Sequence, residues 1–381
     1  MSDLFVSTHT PVLRSGRAVR TYGVARALAA ARGRLVLVYV SFGADEPDAA
    51  FRSIPGIELH AVTPSRGLAR ALAYARARAR GVPDDFARAV SPELAAATAR
   101  LAARERSDDD EPPVRVIADG PEAAAALRGL PREQPLIYNG HNLESAFRHE
   151  LQAPGLGSPR ALRAFERGLL LRADESWMVS EADAAAAREL APAARVRVVP
   201  NVVDVARITP VTPAREAQRA LFVANFRYEP NRNGLRFLLD EVLPRVWREL
   251  PEARLRLVGA GLDGPASPDP RIETVGFVDD LDDAYADVSA AVVPLLQGGG
   301  TPLKFVEALA YGLPVVATPR AAAGLAVRDG EQCALAEGAD QFAQALLTVL
   351  RDGAPHLARG GRELAERRYS IESLVPLVAP A

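Results

Sequence analysis

QGGGTPLKFVEALAYGLPVVAT, residues 297–318, is the stretch from which the fold class follows. An apolar run over 290–296 enters its three glycines, and helical spacing of apolar residues begins at Pro302, which suits a first helical turn. A strand, a glycine loop and a helix N-terminus in this order can bind a phosphate through backbone amides and the helix dipole. The stretch therefore predicts an α/β domain with an anion site at the start of its helix.

Two charged side chains of this helix suit a nucleotide. Lys304, the only lysine of the chain, falls in the first turn, and Glu307 lies one turn later on the same face. A cation here could bind phosphate oxygens, and a carboxylate could accept hydrogen bonds from two ribose hydroxyls. The alternative is an ordinary strand-to-helix turn whose glycines only permit tight geometry.

Length and composition indicate a globular protein of two domains. The 381 residues exceed one compact core, and 48% of them are hydrophobic. The 46 basic residues nearly balance the 48 acidic ones, so the charge does not indicate a nucleic-acid partner. A single cysteine, Cys333, excludes an internal disulfide and a cysteine zinc cluster. Because the sequence shows no signal-peptide pattern and no long apolar run, we expect a cytoplasmic protein.

Strand and helix patterns alternate along the chain. Apolar runs predict buried strands at 34–42 and 57–62, and apolar residues at helical spacing predict helices at 66–80, 84–106 and 234–250. Such alternation is typical of α/β domains with parallel sheets. Because open parallel sheets bind ligands at the carboxyl ends of their strands, polar residues that follow a strand are the candidates for function.

Three further segments place polar residues after a predicted strand. THTPVLRSG follows the strand Leu4–Ser7, and GHNLES, which contains His141, follows the strand PLIYN. NFRYEPNRNG follows the strand at 220–224 and carries Arg227 and Arg232. Each segment could equally be a plain turn with a structural histidine or surface arginines.

Together with RVRVVPNVVD and IETVGFVDDL, these segments resemble the retaining, GT-B-fold glycosyltransferases of family 4. The resemblance implies two Rossmann-like, doubly wound α/β domains that face a central cleft. Residues 1–205 would form an acceptor-side domain, 206–368 would bind the nucleotide-sugar donor, and the tail 369–381 would cross back to the first domain. Many members carry two glutamates separated by seven residues; Gly299 stands at the first position, as in a subgroup with the pattern GGGT-x-LK-x-x-EA.

The same resemblance implies the donor site. The glycine loop would hold the diphosphate, Glu307 the ribose, and the backbone near Val278 the base. Arg227 and Arg232 would reach the diphosphate, where negative charge develops as the glycosidic bond breaks. The implied donor-binding residues are Gly16, Arg227, Arg232, Val278, Gly299, Gly300, Thr301, Pro302, Leu303, Lys304 and Glu307.

Catalytic and acceptor contacts are implied as well. The catalytic set is His141, Arg227 and Lys304. His141 would form a hydrogen bond to a sugar hydroxyl without acting as a base, because retention in this family resembles a front-face displacement. The implied acceptor contacts are Ser15, Arg20, Asn142 and Glu144, although Glu144 could equally cap its own helix.

The implied protein is an enzyme of glycan or glycoconjugate biosynthesis. It would move a sugar from a nucleoside-diphosphate sugar to an acceptor hydroxyl with retention, using no metal and no cofactor besides the donor. The acidic run SDDDEPP, 107–113, is predicted to be a solvated loop and not a metal site. The acceptor could be a saccharide, a lipid-linked glycan or a small molecule.

Alternatives remain open for function and location. A GT-B nucleotide-sugar epimerase would share the fold but needs additional carboxylates, and a degenerate transferase could act as a binding subunit. Helix 66–80 carries arginines along one side, so it could rest on the inner face of a membrane as a peripheral contact or be a plain solvated face.

Overall fold

A computed structural model describes residues 3–13, 15–43, 45–105, 114–147, 158–262, 264–278, 280–298 and 300–380. The chain divides into two units by its internal contacts. The N-terminal unit comprises Met1–Pro200 with Leu374–Ala381, and the C-terminal unit comprises Asn201–Ser373. The boundaries predicted from the sequence, after residues 205 and 368, lie a few residues away from this division.

The N-terminal unit is built on parallel strands. They are β1 (Asp3–Ser7), β2 (Leu35–Val40), β3 (Ile57–Val62), β4 (Val116–Asp119), β5 (Leu136–Asn139), β6 (Glu175–Met178) and β7 (Val196–Val198). Neighbouring strands are parallel and follow the order β3-β2-β1-β4-β5-β6-β7. β1 and β2 are buried along their whole length, which explains why β2 is apolar throughout and why β1 is apolar between its polar end residues Asp3 and Ser7.

Helices connect these strands. They are α1 (Gly16–Arg32), α2 (Ala49–Arg52), α3 (Gly67–Ala79), α4 (Asp84–Ala87), α5 (Pro92–Glu105), α6 (Gly120–Ala126), α7 (Glu144–Phe147), α8 (Pro159–Arg172) and α9 (Glu181–Leu190). α1 begins after Ser15, whose hydroxyl accepts a hydrogen bond from the Ala18 amide, and ends at Gly33 with a φ of 74°. A side-chain cap at the start and a left-handed glycine at the end are the usual limits of a helix.

The single helix predicted at 84–106 is wrong, because the structure has two helices there. α4 ends at Ala87, and α5 starts again at Pro92. Proline lacks the amide that would continue the first helix but fits the first turn of the second. The Ser91 hydroxyl accepts a hydrogen bond from the Leu94 amide at 3.3 Å and thereby caps the new helix.

The C-terminal unit repeats the parallel design. Its strands are β8 (Arg219–Val223), β9 (Arg254–Val258), β10 (Ile272–Gly276), β11 (Ala290–Val293), β12 (Val315–Ala317) and β13 (Ala334–Leu335). They follow the order β10-β9-β8-β11-β12-β13, and neighbouring strands are again parallel. The helices are α10 (Glu229–Arg236), α11 (Leu243–Glu249), α12 (Asp282–Tyr285), α13 (Leu303–Ala310), α14 (Pro319–Ala322), α15 (Gly338–Asp352) and α16 (Pro355–Arg368). A last helix, α17 (Ile371–Val378), begins in this unit and ends among the residues assigned to the N-terminal unit.

The helix predicted at 234–250 begins earlier and is not a plain α-helix. It starts with α10 at Glu229, widens into a π-helical segment at Phe237–Val242 and continues as α11. Pro244 lies in the first turn of α11 and cannot donate a backbone hydrogen bond to the preceding turn. A local widening of the helix is a common response to such a lost hydrogen bond.

The two sheets share one strand order, and this order determines where ligands can bind. In each, the chain runs outward from a central strand and then restarts on its other side, between β1 and β4 in the N-terminal unit and between β8 and β11 in the C-terminal unit. The carboxyl ends of the strands at such a reversal leave a crevice. Two successive α/β units with parallel sheets confirm the predicted fold class.

The end of the chain returns to the N-terminal unit. Arg115 donates a hydrogen bond to the Val378 carbonyl at 3.0 Å, and Arg197 donates one to the Leu377 carbonyl at 2.9 Å. These contacts agree with the assignment of residues from Leu374 onward to this unit. Within the described ranges, we find no helix with both the length and the hydrophobicity to cross a membrane.

Candidate functional site

Buried polar residues meet at the carboxyl ends of β4 and β5. Asp119 ends β4, Asn139 ends β5, and His141 follows two residues later. Asp119 is 2% exposed and accepts hydrogen bonds on Oδ1 from His141 Nε2 at 2.8 Å and from Asn139 Nδ2 at 2.9 Å. Its Oδ2 accepts a third from the Thr21 hydroxyl at 2.7 Å. Burial alone would raise the pKa of Asp119, but His141, Arg17 and Thr21 hold it well below its usual range.

His141 lies between this carboxylate and a guanidinium. Arg17 Nε donates a hydrogen bond to His141 Nδ1 at 3.2 Å, opposite the Nε2 contact with Asp119. Because arginine only donates, Nδ1 must be the unprotonated ring nitrogen, and Nε2 carries the proton. Burial lowers the pKa of His141 and Arg17 lowers it further, which outweighs the effect of Asp119. His141 is therefore a neutral imidazole whose two nitrogens both have protein partners.

Arg17 is held by Glu122. Its Nη1 donates to Glu122 Oε1 at 3.1 Å, and its Nη2 donates to the second carboxylate oxygen. Gly120 permits this contact, since it has a φ of 86° and a Cβ there would lie 2.5 Å from Arg17 Nη2. Arg17, Asp119 and Glu122 were not predicted as site residues. The position of Asp119 at the end of a parallel strand is the signal that could have identified it.

The residues predicted in the first loop and its helix, Ser15, Gly16 and Arg20, differ in their exposure to solvent. Ser15 and Gly16 are exposed at the start of α1. Arg20 is only 2% exposed and donates to Asn139 Oδ1 at 2.6 Å and to the carbonyls of Val199 at 2.9 Å and Pro200 at 3.3 Å. These bonds join α1 to β5 and to the end of the unit, so burial favours a structural role for Arg20 over contact with an acceptor.

Asn142 and Glu144 lie together at the start of α7. Asn142 Nδ2 donates to Glu144 Oε1 at 3.5 Å, and burial raises the pKa of Glu144. Glu144 does not cap its own helix, because the Glu166 carboxylate accepts the amides of Glu144 at 2.7 Å and Ser145 at 3.1 Å. Burial raises the pKa of Glu166 to about 7. Glu166 therefore caps α7, a role for which the sequence pattern had offered Glu144 of the same helix.

In the C-terminal unit, the glycine loop enters α13 after β11. Thr301 is 6% exposed, and Asn201 Nδ2 donates to its carbonyl at 3.0 Å and to its hydroxyl at 2.8 Å. Pro302 precedes the helix with extended backbone, φ −71° and ψ 112°, so it is the cap and not the first helical residue. Gly300 has a φ of 73°, which favours glycine at this position. The predicted donor residue Gly299 lies outside the described residues.

Lys304 and Glu307 occupy the first turns of α13. Leu303 starts this helix and packs against the core of the unit. Lys304 Nζ donates to Asn231 Oδ1 and lies 5.2 Å from the centroid of the Phe222 ring. Burial lowers the pKa of Lys304 to about 7 and raises that of Glu307 to about 7, while each charge partly offsets the shift of the other. The helix thus presents a cation and a carboxylate that both change charge near neutral pH.

Asn231 connects this lysine to the loop after β8. It is 5% exposed, and its Nδ2 donates to the Asn225 carbonyl at 2.7 Å, which directs Oδ1 toward Lys304. Asn231 was not predicted, because in NFRYEPNRNG only Arg227 and Arg232, the basic residues on either side of Pro230, suggested a contact with phosphate. Its place directly after that proline, at the start of α10, was the available signal.

The two predicted arginines of this unit are exposed. Arg227 lies in the loop before α10, and Arg232 lies on that helix. Gly261 allows the chain to pass close to Arg227, because it has a φ of 90° and a Cβ there would lie 2.7 Å from Arg227 Cγ. Neither guanidinium pairs with a carboxylate within the described ranges. Val278 is half-buried against the core.

Comparison with known proteins gives a family for part of the chain. Residues 217–352 match the family described as "Glycosyl transferases group 1". A phosphatidyl-myo-inositol mannosyltransferase of Mycobacterium leprae is 34% identical over 155 residues, which cover 38% of this chain and 41% of the relative. The match thus spans about two fifths of the length of that relative.

Solved structures resemble the whole chain. Sucrose-phosphate synthase from Thermosynechococcus elongatus has a TM-score of 0.72 at 17% identity, covering 99% of this chain and 97% of that one. HepE from Anabaena, solved in complex with UDP and glucose, has a TM-score of 0.68 at 16% identity, covering 100% of this chain and 98% of HepE. At these identities the likeness shows the fold alone. The chain therefore has the GT-B fold of two parallel α/β units, and its residues 217–352, which include Lys304 and Glu307, match the model of the group 1 glycosyltransferases.

Proposed function

We propose that this protein transfers a sugar from a nucleoside-diphosphate sugar to an acceptor hydroxyl. The observation that carries the proposal is the pair of Lys304 and Glu307 at the start of α13, inside the segment that matches the glycosyltransferase family. A helix N-terminus offers amides that have no partner within the helix, and Lys304 adds a positive charge to them. The match of fold and family supports the same activity.

Donor binding follows from these groups. Lys304, Arg227 and the amides of the glycine loop would hold the diphosphate, and Glu307 would accept hydrogen bonds from the ribose. Each charge-assisted hydrogen bond contributes roughly 1.5–3 kcal/mol. As the glycosidic bond breaks, negative charge grows on the diphosphate, so the same cations stabilise the transition state. We propose that these residues act without a metal ion and without a cofactor besides the donor.

Retention of the anomeric configuration and the acceptor are further parts of the proposal. Retention rests on the family resemblance, with His141 forming a hydrogen bond to a hydroxyl group. The names of the relatives support a uridine nucleotide, which HepE binds, or a mannosyl donor with a lipid-bearing acceptor, as for the mycobacterial enzyme. We therefore place the protein in glycan or glycoconjugate biosynthesis, with a saccharide, a lipid-linked glycan or a small molecule as acceptor.

A panel of nucleotide sugars tests the proposed function. We expect one of them, added to the full chain, to raise the midpoint of thermal unfolding, because a ligand at about 100 times its Kd stabilises the native state by about 2.7 kcal/mol. Binding should persist in EDTA. The stabilising sugar is then incubated with candidate acceptors, and the anomeric configuration of the product is read by NMR.

The two alternatives, a nucleotide-sugar epimerase and a non-catalytic binding subunit, would each give a different result in this experiment. An isomerised sugar formed without any acceptor would replace the transferase by an epimerase. If no nucleotide or nucleotide sugar binds in calorimetry, the donor site is absent and a binding subunit is the better description.

We also propose that the segment 66–80, which contains α3, makes a peripheral contact with the inner face of the membrane. Leu68 is 76% exposed, Leu72 is 46% exposed and the neighbouring Phe42 is 56% exposed. Arg66 donates to the Phe42 carbonyl at 3.4 Å, and the Arg70 guanidinium lies 5.9 Å from the Phe42 ring. Exposed apolar side chains among arginines are typical of surfaces that bind anionic lipid.

Leu68→Asp tests this contact by co-sedimentation with phosphatidylglycerol vesicles. We expect the partition coefficient to fall at least about tenfold, since burying one leucine is worth about 1.5–3 kcal/mol. Leu171→Asp is the matched control, because Leu171 is an exposed leucine on a different helix, α8. Equal sedimentation of the wild type with phosphatidylcholine and phosphatidylglycerol, or an unchanged Leu68→Asp variant, would contradict the contact.

A further inference from the structure

The hydrogen bonds around His141 specify one form of its ring. The Asp119 carboxylate accepts from Nε2, and the Arg17 guanidinium donates to Nδ1. Only the neutral tautomer with its proton on Nε2 satisfies both partners. The acceptor atom of His141 is therefore Nδ1, and in this structure its single lone pair is taken by Arg17.

We propose that Asp119 is a positioning residue that holds His141 protonated on Nε2, so that Nδ1 accepts a hydrogen bond from a hydroxyl group of the ligand. The proposal rests on the proposed function and deepens it, because it names the atom and the direction of the bond. An accepting nitrogen selects a donor such as a hydroxyl and disfavours a carbonyl or phosphate oxygen.

Asp119 is suited to this role because its own position is constrained on every side. Thr21 binds its Oδ2, and Asn139 shares its Oδ1 with His141. Asn139 is in turn held by Arg20, which is 2% exposed. A carboxylate held by side chains of α1 and β5 cannot rotate without breaking these bonds, so it presents a fixed acceptor to the imidazole.

Arg17 occupies the place that we assign to the ligand hydroxyl. It touches the ring through Nε, whereas its two terminal nitrogens bind Glu122. The side chain of Arg17 is 30% exposed and that of Glu122 is 13% exposed, so the guanidinium lies at the outer edge of the cluster. A small movement away from Nδ1 can keep the bonds to Glu122, and the charge of Arg17 stays paired while a hydroxyl takes its place at the ring.

The ring nitrogens can be observed directly by NMR of the full chain with ¹⁵N-labelled histidine, in which the loss of a signal in His141→Gln assigns that residue. In the wild type we expect a protonated Nε2 and an unprotonated Nδ1. In Asp119→Asn the amide can donate to Nε2, so the proton should move to Nδ1, Arg17 should turn away from that nitrogen, and the two signals should exchange. Thr21→Val is the matched control, because it removes a bond to Asp119 that does not involve the imidazole, and its tautomer should remain that of the wild type.

The wild-type spectrum alone can overturn the proposal, even if Asp119→Asn fails to fold. A proton on Nδ1, a doubly protonated ring at neutral pH, or an unchanged tautomer in a folded Asp119→Asn variant would each do so. Arg17→Gln supplies a second measurement, in which the Nδ1 signal should shift toward that of a ring nitrogen without a donor. None of these spectra requires turnover, so a failed transferase assay leaves this result independent.

A kinetic measurement then connects the tautomer to the reaction. With a transfer assay in hand, we expect Asp119→Asn to lower kcat at least tenfold, while the Kd for UDP in calorimetry changes less than twofold. A variant that merely disturbs the fold would weaken both. An unchanged kcat in a variant whose tautomer has exchanged would show that the hydrogen bond to Nδ1 is not used.

Discussion

Lys304→Met is expected to weaken the binding of a nucleoside diphosphate by about 10- to 100-fold. The estimate corresponds to the loss of one charge-assisted hydrogen bond, worth roughly 1.5–3 kcal/mol. Methionine keeps much of the side-chain volume beside Phe222 but removes the ammonium group. Isothermal calorimetry with UDP measures the effect. Arg236→Met, an exposed basic residue of α10 in the same unit, is the control and should bind as the wild type does.

The thermal stability of Lys304→Met should not fall together with its affinity for the nucleoside diphosphate. The pKa of Lys304 is lowered to about 7 by burial, which means that the folded protein disfavours its charge. Removing the ammonium removes that cost but also takes a partner from Asn231 Oδ1 and from Glu307, so the midpoint of thermal unfolding should change little. A lower midpoint together with weaker binding would indicate general damage and would leave the role of Lys304 unsupported. Unchanged affinity would exclude Lys304 from the diphosphate site.

Glu307→Ala is expected to weaken the same binding by a similar or larger factor, for two reasons. It removes the acceptor for the ribose hydroxyls, and it removes the carboxylate that keeps the pKa of Lys304 from falling further. A larger fraction of Lys304 would then be uncharged at pH 7. The variant therefore loses a hydrogen-bond acceptor and part of the positive charge together. Glu331→Ala, an exposed carboxylate of the same unit, is the control for calorimetry.

The pH dependence of binding separates the two contributions. Affinity should fall above pH 7 as Lys304 loses its proton, and below pH 7 as Glu307 gains one, because burial shifts both pKa values to about 7. The two apparent midpoints belong to the interacting pair and not to either residue. Lys304→Met should abolish the alkaline decline and Glu307→Gln the acidic one. A flat profile in the wild type would contradict the assignment of both residues.

Much of the fold could be predicted from the sequence because the relevant signal is local. Apolar runs such as 34–42 marked buried strands, and helical spacing marked α13 with Lys304 and Glu307 one turn apart. The split between α4 and α5 was missed although Pro92 was present in the sequence. Its effect on the helix depends on the capping hydroxyl of Ser91, which the apolar periodicity does not record.

The candidate site was predicted less completely because its contacts are distant in sequence. His141 was proposed, but not the arginine that binds it from 124 residues away. Asp119 and Asn231 were also missed, since neither residue type is unusual after a strand or a proline. Their importance follows from burial and from the partner that each one meets, which the spacing of residues along the chain does not contain.

The sequence by itself therefore determined the class of the fold, the order of strands and helices, and the chemical character of the glycine loop and its helix. Hydrophobic periodicity and the backbone demands of glycine and proline act over a few residues, so they can be read along the chain. Only the tertiary structure decided which nitrogen of His141 carries the proton, and that Lys304 and Glu307 change charge near neutral pH. These properties depend on desolvation and on charges brought together by the order of the strands, and no local stretch of sequence specifies either.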